Sequence, residues 1–191
     1  MPDSEDLRDL TTEDQNPVSA DLDTKSALEI ARIINLEDAK VAAAVERALP
    51  QIARAIDAVG EAIANGGRLI YVGAGTSGRI AALDAAECPP TFDTDPETVQ
   101  FIMAGGVDAL WNPFEPAEDS AESGHREMAR RKPGPRDVVA GIAASGRTPY
   151  TLAAVEYARS KGAKTIALTC NHIMHSAFTK FGTQAVVDGL L

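Results

Sequence analysis

The chain has 191 residues, 45% of them hydrophobic, and a formal net charge of −10 at neutral pH. This length suits one domain with an appendage, and the apolar content suffices for a buried core. The negative charge argues against nucleic acid or an anionic membrane as a partner. No apolar run approaches the ~20 residues that span a bilayer, and the acidic start lacks the apolar stretch of a secretory signal. Cys88 and Cys170 are expected to be reduced thiols, as in a cytoplasmic protein.

The first third of the chain predicts a helical arm. Residues 1–22 are polar and acidic with little periodicity, and we expect a flexible N-terminal segment there. Apolar residues then recur at spacings of three and four through residues 23–65, which favours helices. Asn35 is expected to close a first helix, and Pro50 to kink a second one or divide it in two.

From residue 66 to residue 191, short apolar segments alternate with helical patterns. The strand candidates are residues 69–72, 99–103, 137–142, 164–168 and 184–187. The helix candidates are residues 79–87, 118–132 and 148–161, the first of them ended by Cys88-Pro89-Pro90. This alternation predicts an α/β domain with a parallel sheet covered by helices on both faces.

A glycine-rich turn, GAGTSG, directly follows the first strand candidate. A strand, a glycine-rich turn and a helix together present backbone N–H groups and a positive helix end to an anion. The hydroxyl groups of Thr76 and Ser77 are placed to donate to phosphate oxygens. We therefore predict that Gly75, Thr76, Ser77 and Gly78 bind a phosphate group.

The tripeptide Ser-Gly-Arg occurs a second time, again after a strand candidate, as Ser145, Gly146 and Arg147, with Thr148 following. Because ligands of open α/β sheets bind at the carboxyl ends of strands, we expect the two loops to hold one phosphate together. Charge-assisted hydrogen bonds contribute about 1.5–3 kcal/mol each, so three or four of them would hold a phosphate monoester without a metal.

Other interpretations of these motifs stay open. The three glycines of the first loop also fit the G-x-G-x-x-G spacing of a dinucleotide site, although residues 103–106 offer no carboxylate for a ribose. That turn is also compatible with a purely structural role, and residues 145–148 with a plain helix cap. His172 and His175 have only Cys170 nearby as a further ligand, so no metal site is predicted.

Several segments resemble one family. GAGTSGR, LDAAECPPTF and GIAASGRTPY resemble the N-acetylmuramic acid 6-phosphate etherases, members of the sugar-isomerase (SIS) phosphosugar-binding group. TEDQNPVSADLD near the start and INLEDAKVAAAVERALPQIARAID in the arm are similar to theirs as well. The resemblance runs from about residue 10 to residue 171 and, more faintly, to the end. ECPPT is its most specific element, since the glycine loop alone identifies only the wider SIS group.

The resemblance implies a SIS-type three-layer sandwich and a cytoplasmic, homodimeric lyase of peptidoglycan recycling that needs no cofactor. Its substrate would be a phosphorylated amino sugar, N-acetylmuramic acid 6-phosphate, cleaved at the D-lactyl ether into N-acetylglucosamine 6-phosphate and D-lactate. The family's acid/base glutamate falls on Glu87 in ECPPT. Its second catalytic glutamate falls on Glu118 in EPAED, where Pro116 replaces a glycine. Family members continue beyond this chain's end, so residues 66–191 are expected to be a C-terminally incomplete SIS domain.

The family's reaction needs proton transfer at carbon and at oxygen. A base removes the C2 proton of the open-chain aldehyde, lactate leaves from C3, and water then adds to the unsaturated aldehyde. Two carboxyl groups in opposite protonation states suit these steps. Near a phosphate dianion they should titrate as a coupled pair, with at least one pKa raised.

Three alternative functions are kept. The first is a non-catalytic phosphosugar sensor that resembles the glucokinase-regulator branch of the SIS group. The second is an inactive, truncated etherase. The third is a nucleotide-dependent oxidoreductase that would use the glycine loop for NAD.

Overall fold

The computed structural model describes residue 12, residues 14–171 and the backbone of residues 185–187. Most of the expected flexible segment and both His172 and His175 lie outside the described residues. The strands are β1 (Leu69–Gly73), β2 (Val99–Met103), β3 (Val138–Ile142), β4 (Lys164–Leu168) and β5 (Ala185–Val187). They form one sheet in the order β2-β1-β3-β4-β5, and every neighbouring pair is parallel.

Helices cover both faces of this sheet. The helices are α1 (Ala27–Ala64), α2 (Gly75–Phe92), α3 (Ala121–Arg131) and α4 (Pro149–Ser160). One buried cluster joins the sheet to α1 and α2, and a second joins its other face to α3 and α4. The predicted α/β three-layer sandwich with a parallel sheet and an N-terminal helix is therefore confirmed.

The strands read as continuous apolar segments because both of their faces are buried. In β1, Ile70 and Val72 belong to the cluster with α3 and α4, whereas Leu69 belongs to the cluster with α1 and α2.

Asp137, just before β3, is also buried, and its carboxylate accepts hydrogen bonds from the Arg68 guanidinium at 2.8 and 3.1 Å. Burial alone would raise the pKa of this carboxyl, but the hydrogen bonds from Arg68 and Gly134 hold it below its usual value.

The N-terminal arm is a single helix of 38 residues. Its start is fixed by a capping box, in which the Ser26 Oγ accepts from the Glu29 N–H and the Glu29 carboxylate accepts from the Ser26 N–H. The expected helix end at Asn35 is wrong, and Pro50 does not divide the helix. Pro50 removes one intrahelical hydrogen bond, but buried alanines on both sides of it keep α1 on the rest of the protein.

The second helix also differs from the prediction at both ends. It begins at Gly75 within the glycine-rich turn, rather than at Arg79, and it continues through Pro89 and Pro90. Both prolines lie in its last turn, where they leave only two carbonyl groups without an intrahelical donor. Asp93 ends the helix with φ of 54° and donates its N–H to the Pro89 carbonyl at 2.9 Å.

Candidate functional site

The carboxyl ends of β1 and β3 lie side by side, with Gly73 opposite Ile142. The chain leaves β1 toward α2 on one face of the sheet and leaves β3 toward α4 on the other. In sheets of this strand order, ligands bind in the crevice where the two connections diverge. The two predicted phosphate loops, residues 75–78 and residues 145–148, therefore flank one crevice.

The start of α2 presents unpaired backbone donors to this crevice. Its N-cap is Ala74, whose side chain makes no capping hydrogen bond, and the first N–H that bonds back to Ala74 is that of Gly78. The N–H groups of Gly75, Thr76 and Ser77 have no hydrogen-bond acceptor among the described residues. These donors and the positive helix end form an anion-binding position.

Within the same loop, Gly78 is required for packing. A Cβ at Gly78 would lie 2.8 Å from the Met103 Cγ and 3.1 Å from the Gly73 carbonyl oxygen, so only glycine lets α2 start this close to β2. Thr76 is exposed and Ser77 is half-buried, so a ligand in the crevice can reach both hydroxyl groups.

The Glu118 carboxyl lies against the start of α2. A Cβ at Gly75, whose φ is 52°, would be 3.0 Å from Glu118 Oε1. Glu118 follows the 3-10 turn Glu115–Ala117, and its N–H donates to the Glu115 carbonyl at 2.9 Å. Its own carbonyl accepts from the Tyr150 N–H of α4 at 3.0 Å. The expectation that Glu118 starts the third helix is wrong, because α3 begins only at Ala121.

The environment of Glu118 favours its protonated form. Burial raises the pKa of its carboxyl, and the neighbouring Asp119 and Glu115 carboxylates raise it further, while Arg79 opposes the shift. A raised pKa brings a carboxyl group closer to the range in which it can both donate and accept a proton. Pro116, in the motif that carries Glu118, lies inside the 3-10 turn, whose φ is the one that proline adopts.

A cavity of about 270 Å³ opens beside Glu118. Its polar and charged lining consists of Thr76, Arg79, Glu115 and Glu118. Gly75 and apolar residues of β2 and of the β2–α3 connection close the remaining sides. The cavity thus joins one of the two predicted catalytic glutamates to two residues of the first phosphate loop.

The second loop lies across the crevice and does not line this cavity. Gly146 has φ of 69°, the Ser145 Oγ accepts from the Arg147 N–H at 3.3 Å, and the Ser145 carbonyl accepts from the Asn171 side chain at 3.2 Å. Thr148 is the N-cap of α4, yet its side chain makes no capping hydrogen bond. A plain helix cap therefore does not account for the hydroxyl of Thr148.

Glu87 is not at the crevice. It lies on α2 twelve residues after Gly75, which corresponds to about 18 Å along the helix axis. It is exposed and shares the outer side of α2 with Ile80 and Leu83, which are 60% and 63% exposed. One chain therefore does not bring Glu87 and Glu118 together.

Sequence reasoning did not select Arg79 as a site residue. Its Nη2 donates to the Ala109 carbonyl at 2.8 Å and its Nε to the Leu110 carbonyl at 3.2 Å. Arg79 thereby ties α2 to the connection that carries Glu118. The available signal was the Ser-Gly-Arg tripeptide shared by the two loops, from which only the second arginine was selected.

The described residues contain neither a metal-ion site nor a membrane-spanning helix. No group of three or more His, Cys, Asp or Glu side chains in that part of the chain is arranged to hold a metal ion. None of the helices described there combines the length and the apolar character needed to cross a membrane.

Comparison with known proteins gives a family and several relatives. The family model of the glucokinase regulatory protein N-terminal SIS domain matches residues 51–159. The chain is 53% identical over 165 residues to an N-acetylmuramic acid 6-phosphate etherase of Glaesserella parasuis, which covers 86% of this chain and 54% of that protein. It is 54% identical over 165 residues to the etherase of Streptomyces avermitilis, covering 86% and 53%. The chain spans about half the length of these curated relatives.

Solved structures with the same fold include two phosphoheptose isomerases. The isomerase from Francisella tularensis has a TM-score of 0.65 at 20% identity, covering 86% of this chain and 85% of the other. The isomerase from Neisseria gonorrhoeae has a TM-score of 0.60 at 17% identity, covering 84% and 85%. At these identities the likeness concerns the fold alone. The chain therefore belongs to the SIS-domain family, and its sequence relatives confirm the resemblance to the N-acetylmuramic acid 6-phosphate etherases.

Proposed function

We propose that this chain forms the SIS domain of a cytoplasmic enzyme of peptidoglycan recycling that cleaves N-acetylmuramic acid 6-phosphate. The products are N-acetylglucosamine 6-phosphate and D-lactate. Relatives that carry the etherase name are identical at more than half of the aligned positions. The observation that carries the proposal is the Glu118 carboxyl, whose pKa is raised and which lies against Gly75 at the start of α2.

The 6-phosphate binds at the start of α2 in this proposal. The unpaired N–H groups there, together with the hydroxyls of Thr76 and Ser77, supply donors for its oxygens. Residues 145–148 supply further donors from across the crevice. Anchoring the phosphate at this end leaves C2 and C3 of the open-chain sugar to extend into the cavity beside Glu118.

Two carboxyl groups divide the proton transfers. One carboxylate takes the C2 proton while the other group, as the acid, protonates the ether oxygen that leaves C3 with the lactate. Water then adds at C3 of the unsaturated aldehyde, and a proton returns to C2. The raised pKa of Glu118 supports its part in this exchange. The resemblance assigns the other part to Glu87.

Glu87 enters this proposal through a second copy of the chain. Within one chain it lies about 18 Å along α2 from Gly75, so it cannot act on a sugar held at that chain's own Glu118. The exposed Ile80 and Leu83 beside it form an apolar surface of the kind that contacts a partner. A homodimer in which each copy lends Glu87 to the other is therefore part of the proposed function.

The proposal is tested by incubating the chain with N-acetylmuramic acid 6-phosphate and measuring D-lactate. We expect lactate release that falls to background in Glu118→Gln, while the sugar still raises the melting temperature of that variant, because the phosphate donors are unchanged. Absence of lactate from the unmodified chain together with a raised melting temperature would favour the phosphosugar sensor instead. That second candidate is supported by the match to the glucokinase regulatory protein model. If the chain neither released lactate nor gained melting temperature with the sugar, both functions would be contradicted.

A further inference from the structure

We propose that Arg79 binds the carboxylate of the substrate's lactyl group and thereby selects the lactyl-bearing sugar over the same phosphosugar without it. The inference rests on the proposed function, since the lactyl group is the part of that substrate that carries a carboxylate. Such a group needs a cation or several aligned donors when it leaves water.

The position of Arg79 follows from its place on α2. It lies four residues after Gly75 and three after Thr76, so all three are on the same side of the helix. All three also line the cavity that contains Glu118. With a phosphate held at the first turn of α2, Arg79 is one turn further along and faces a more distant part of the sugar.

The charges around the cavity single out this residue. Among the described residues that line the cavity, Arg79 is the one cation, and the two acids Glu115 and Glu118 line the same cavity. No ion pair within 4.0 Å joins its guanidinium to a carboxylate of the described chain. Its positive charge is thus not neutralised by direct contact, and an incoming carboxylate can approach it.

The hydrogen bonds of Arg79 leave donors for a ligand. A guanidinium has five N–H groups, and the two hydrogen bonds found for Arg79 in the described part of the chain go to the Ala109 and Leu110 carbonyls. These two bonds fix the plane of the guanidinium while its remaining N–H groups stay without a protein acceptor there. A planar, pre-oriented fork of this kind matches the two oxygens of a carboxylate.

The test compares two sugars that differ only in the lactyl ether. Binding of N-acetylmuramic acid 6-phosphate and of N-acetylglucosamine 6-phosphate is measured by titration calorimetry. The parent protein carries Glu87→Gln, which is expected to prevent turnover and leaves the cavity lining of its own chain unchanged. Adding Arg79→Gln should weaken binding of the lactyl sugar by roughly 10- to 100-fold, the loss expected for a charge-assisted contact. The affinity for the sugar without lactate should change by less than about threefold.

Arg79→Lys serves as the matched variant. Lysine keeps the charge but lacks the planar fork, so it should recover part of the affinity for the lactyl sugar. Should Arg79→Gln fail to fold, the comparison of the two sugars is made with Arg79→Lys, where the loss must again be confined to the lactyl sugar.

The outcomes separate this inference from the function on which it rests. An equal loss for both sugars would mean that Arg79 serves the phosphate or only the protein loop, and would overturn the inference. So would unchanged affinity for both. Binding of neither sugar by the parent protein would overturn the proposed function and the inference with it.

Discussion

Gly75 shows how a single residue links the backbone to the chemistry of the site. Its φ is 52°, and a Cβ at this position would lie 3.0 Å from the Glu118 Oε1. A side chain at this position would therefore meet two separate penalties, one in the backbone and one against the carboxyl. The second penalty would act on the proposed proton transfer by Glu118 rather than on folding.

Gly75→Ala is expected to separate these two effects. The left-handed backbone should cost about 1–2 kcal/mol of stability. Displacement of the Glu118 carboxyl should lower lactate release by roughly 10- to 100-fold, as misplacement by about 1 Å does in other enzymes. Urea unfolding and the D-lactate assay measure the two quantities.

Gly66→Ala is the control for backbone strain. Gly66 has φ of 71°, follows the end of α1, and a Cβ there would lie 3.9 Å from the flexible Arg136 side chain. It should lose comparable stability and keep its activity. If both variants lost activity in proportion to stability, the contact between Gly75 and Glu118 would have no catalytic role.

At the scale of elements, α3 and α4 pack so closely that one position admits only glycine. A Cβ at Gly124 of α3 would lie 2.0 Å from the Tyr150 carbonyl oxygen of α4. The contact is with backbone, which cannot rotate away. Since the Tyr150 N–H also donates to the Glu118 carbonyl, the spacing of these two helices positions the turn that carries Glu118.

Gly124→Ala should therefore destabilise the protein by about 3 kcal/mol, the upper part of the range for overpacked cores. The matched control is Gly60→Ala in α1, where a Cβ meets nothing within 4 Å. That exposed helical position should instead gain about 0.5–1 kcal/mol, because alanine is the better helix former. Urea unfolding of both variants checks the prediction, which fails if the two changes have the same sign.

The elements also show what the sequence could and could not predict. The strands were recognisable because β1 to β4 are buried on both faces and so consist of short apolar runs. The start of α2 was not recognisable from the sequence, because glycine is needed at Gly78 for its close contact with Met103 of β2. The end of α2 was missed because Pro89 and Pro90 lie in a last turn that tolerates them.

The same limits applied to the candidate site. The repeated Ser-Gly-Arg tripeptide led to the expectation that the two loops hold one ligand together, and the structure places the strands before them side by side. The distance between Glu87 and the start of α2 could not be foreseen, since the helix was expected to begin at Arg79. Arg79 was missed because its partners are the backbone carbonyls of Ala109 and Leu110. Every residue has such a carbonyl, so residue types do not show which of them accept from an arginine.

For the molecule as a whole, the outer side of α2 is the surface that is exposed in a single copy and would be covered in the proposed dimer. Glu87 lies there beside Ile80 and Leu83, on the opposite side of the helix from the buried Ala81 and Ala85. A monomer built this way exposes both apolar surface and a predicted catalytic carboxyl to water. Another copy of the chain would cover the apolar surface and use the Glu87 carboxyl.

Mixing two inactive variants tests this arrangement. Glu87→Gln and Glu118→Gln should each release no lactate alone. Co-expressed in equal amounts, they should recover about a quarter of the unmodified activity, because half of randomly paired two-fold dimers are mixed and each holds one intact site. Size-exclusion chromatography confirms that dimers are present. Dimers without any recovered activity would show that Glu87 does not act across the interface.

The order of the strands also governs how the chain is assembled during synthesis. β1 pairs with β2 on one side and with β3 on the other, and Val138 of β3 is made 69 residues after its partner Leu69. At a synthesis rate of about 5–20 residues per second, the edge of β1 that pairs with β3 stays unpaired for roughly 3–14 s after β1 leaves the ribosome. During this interval an apolar strand, Leu69–Gly73, presents unpaired backbone groups to the cell. The nascent chain, rather than the finished protein, is thus the form most exposed to aggregation and most in need of a chaperone.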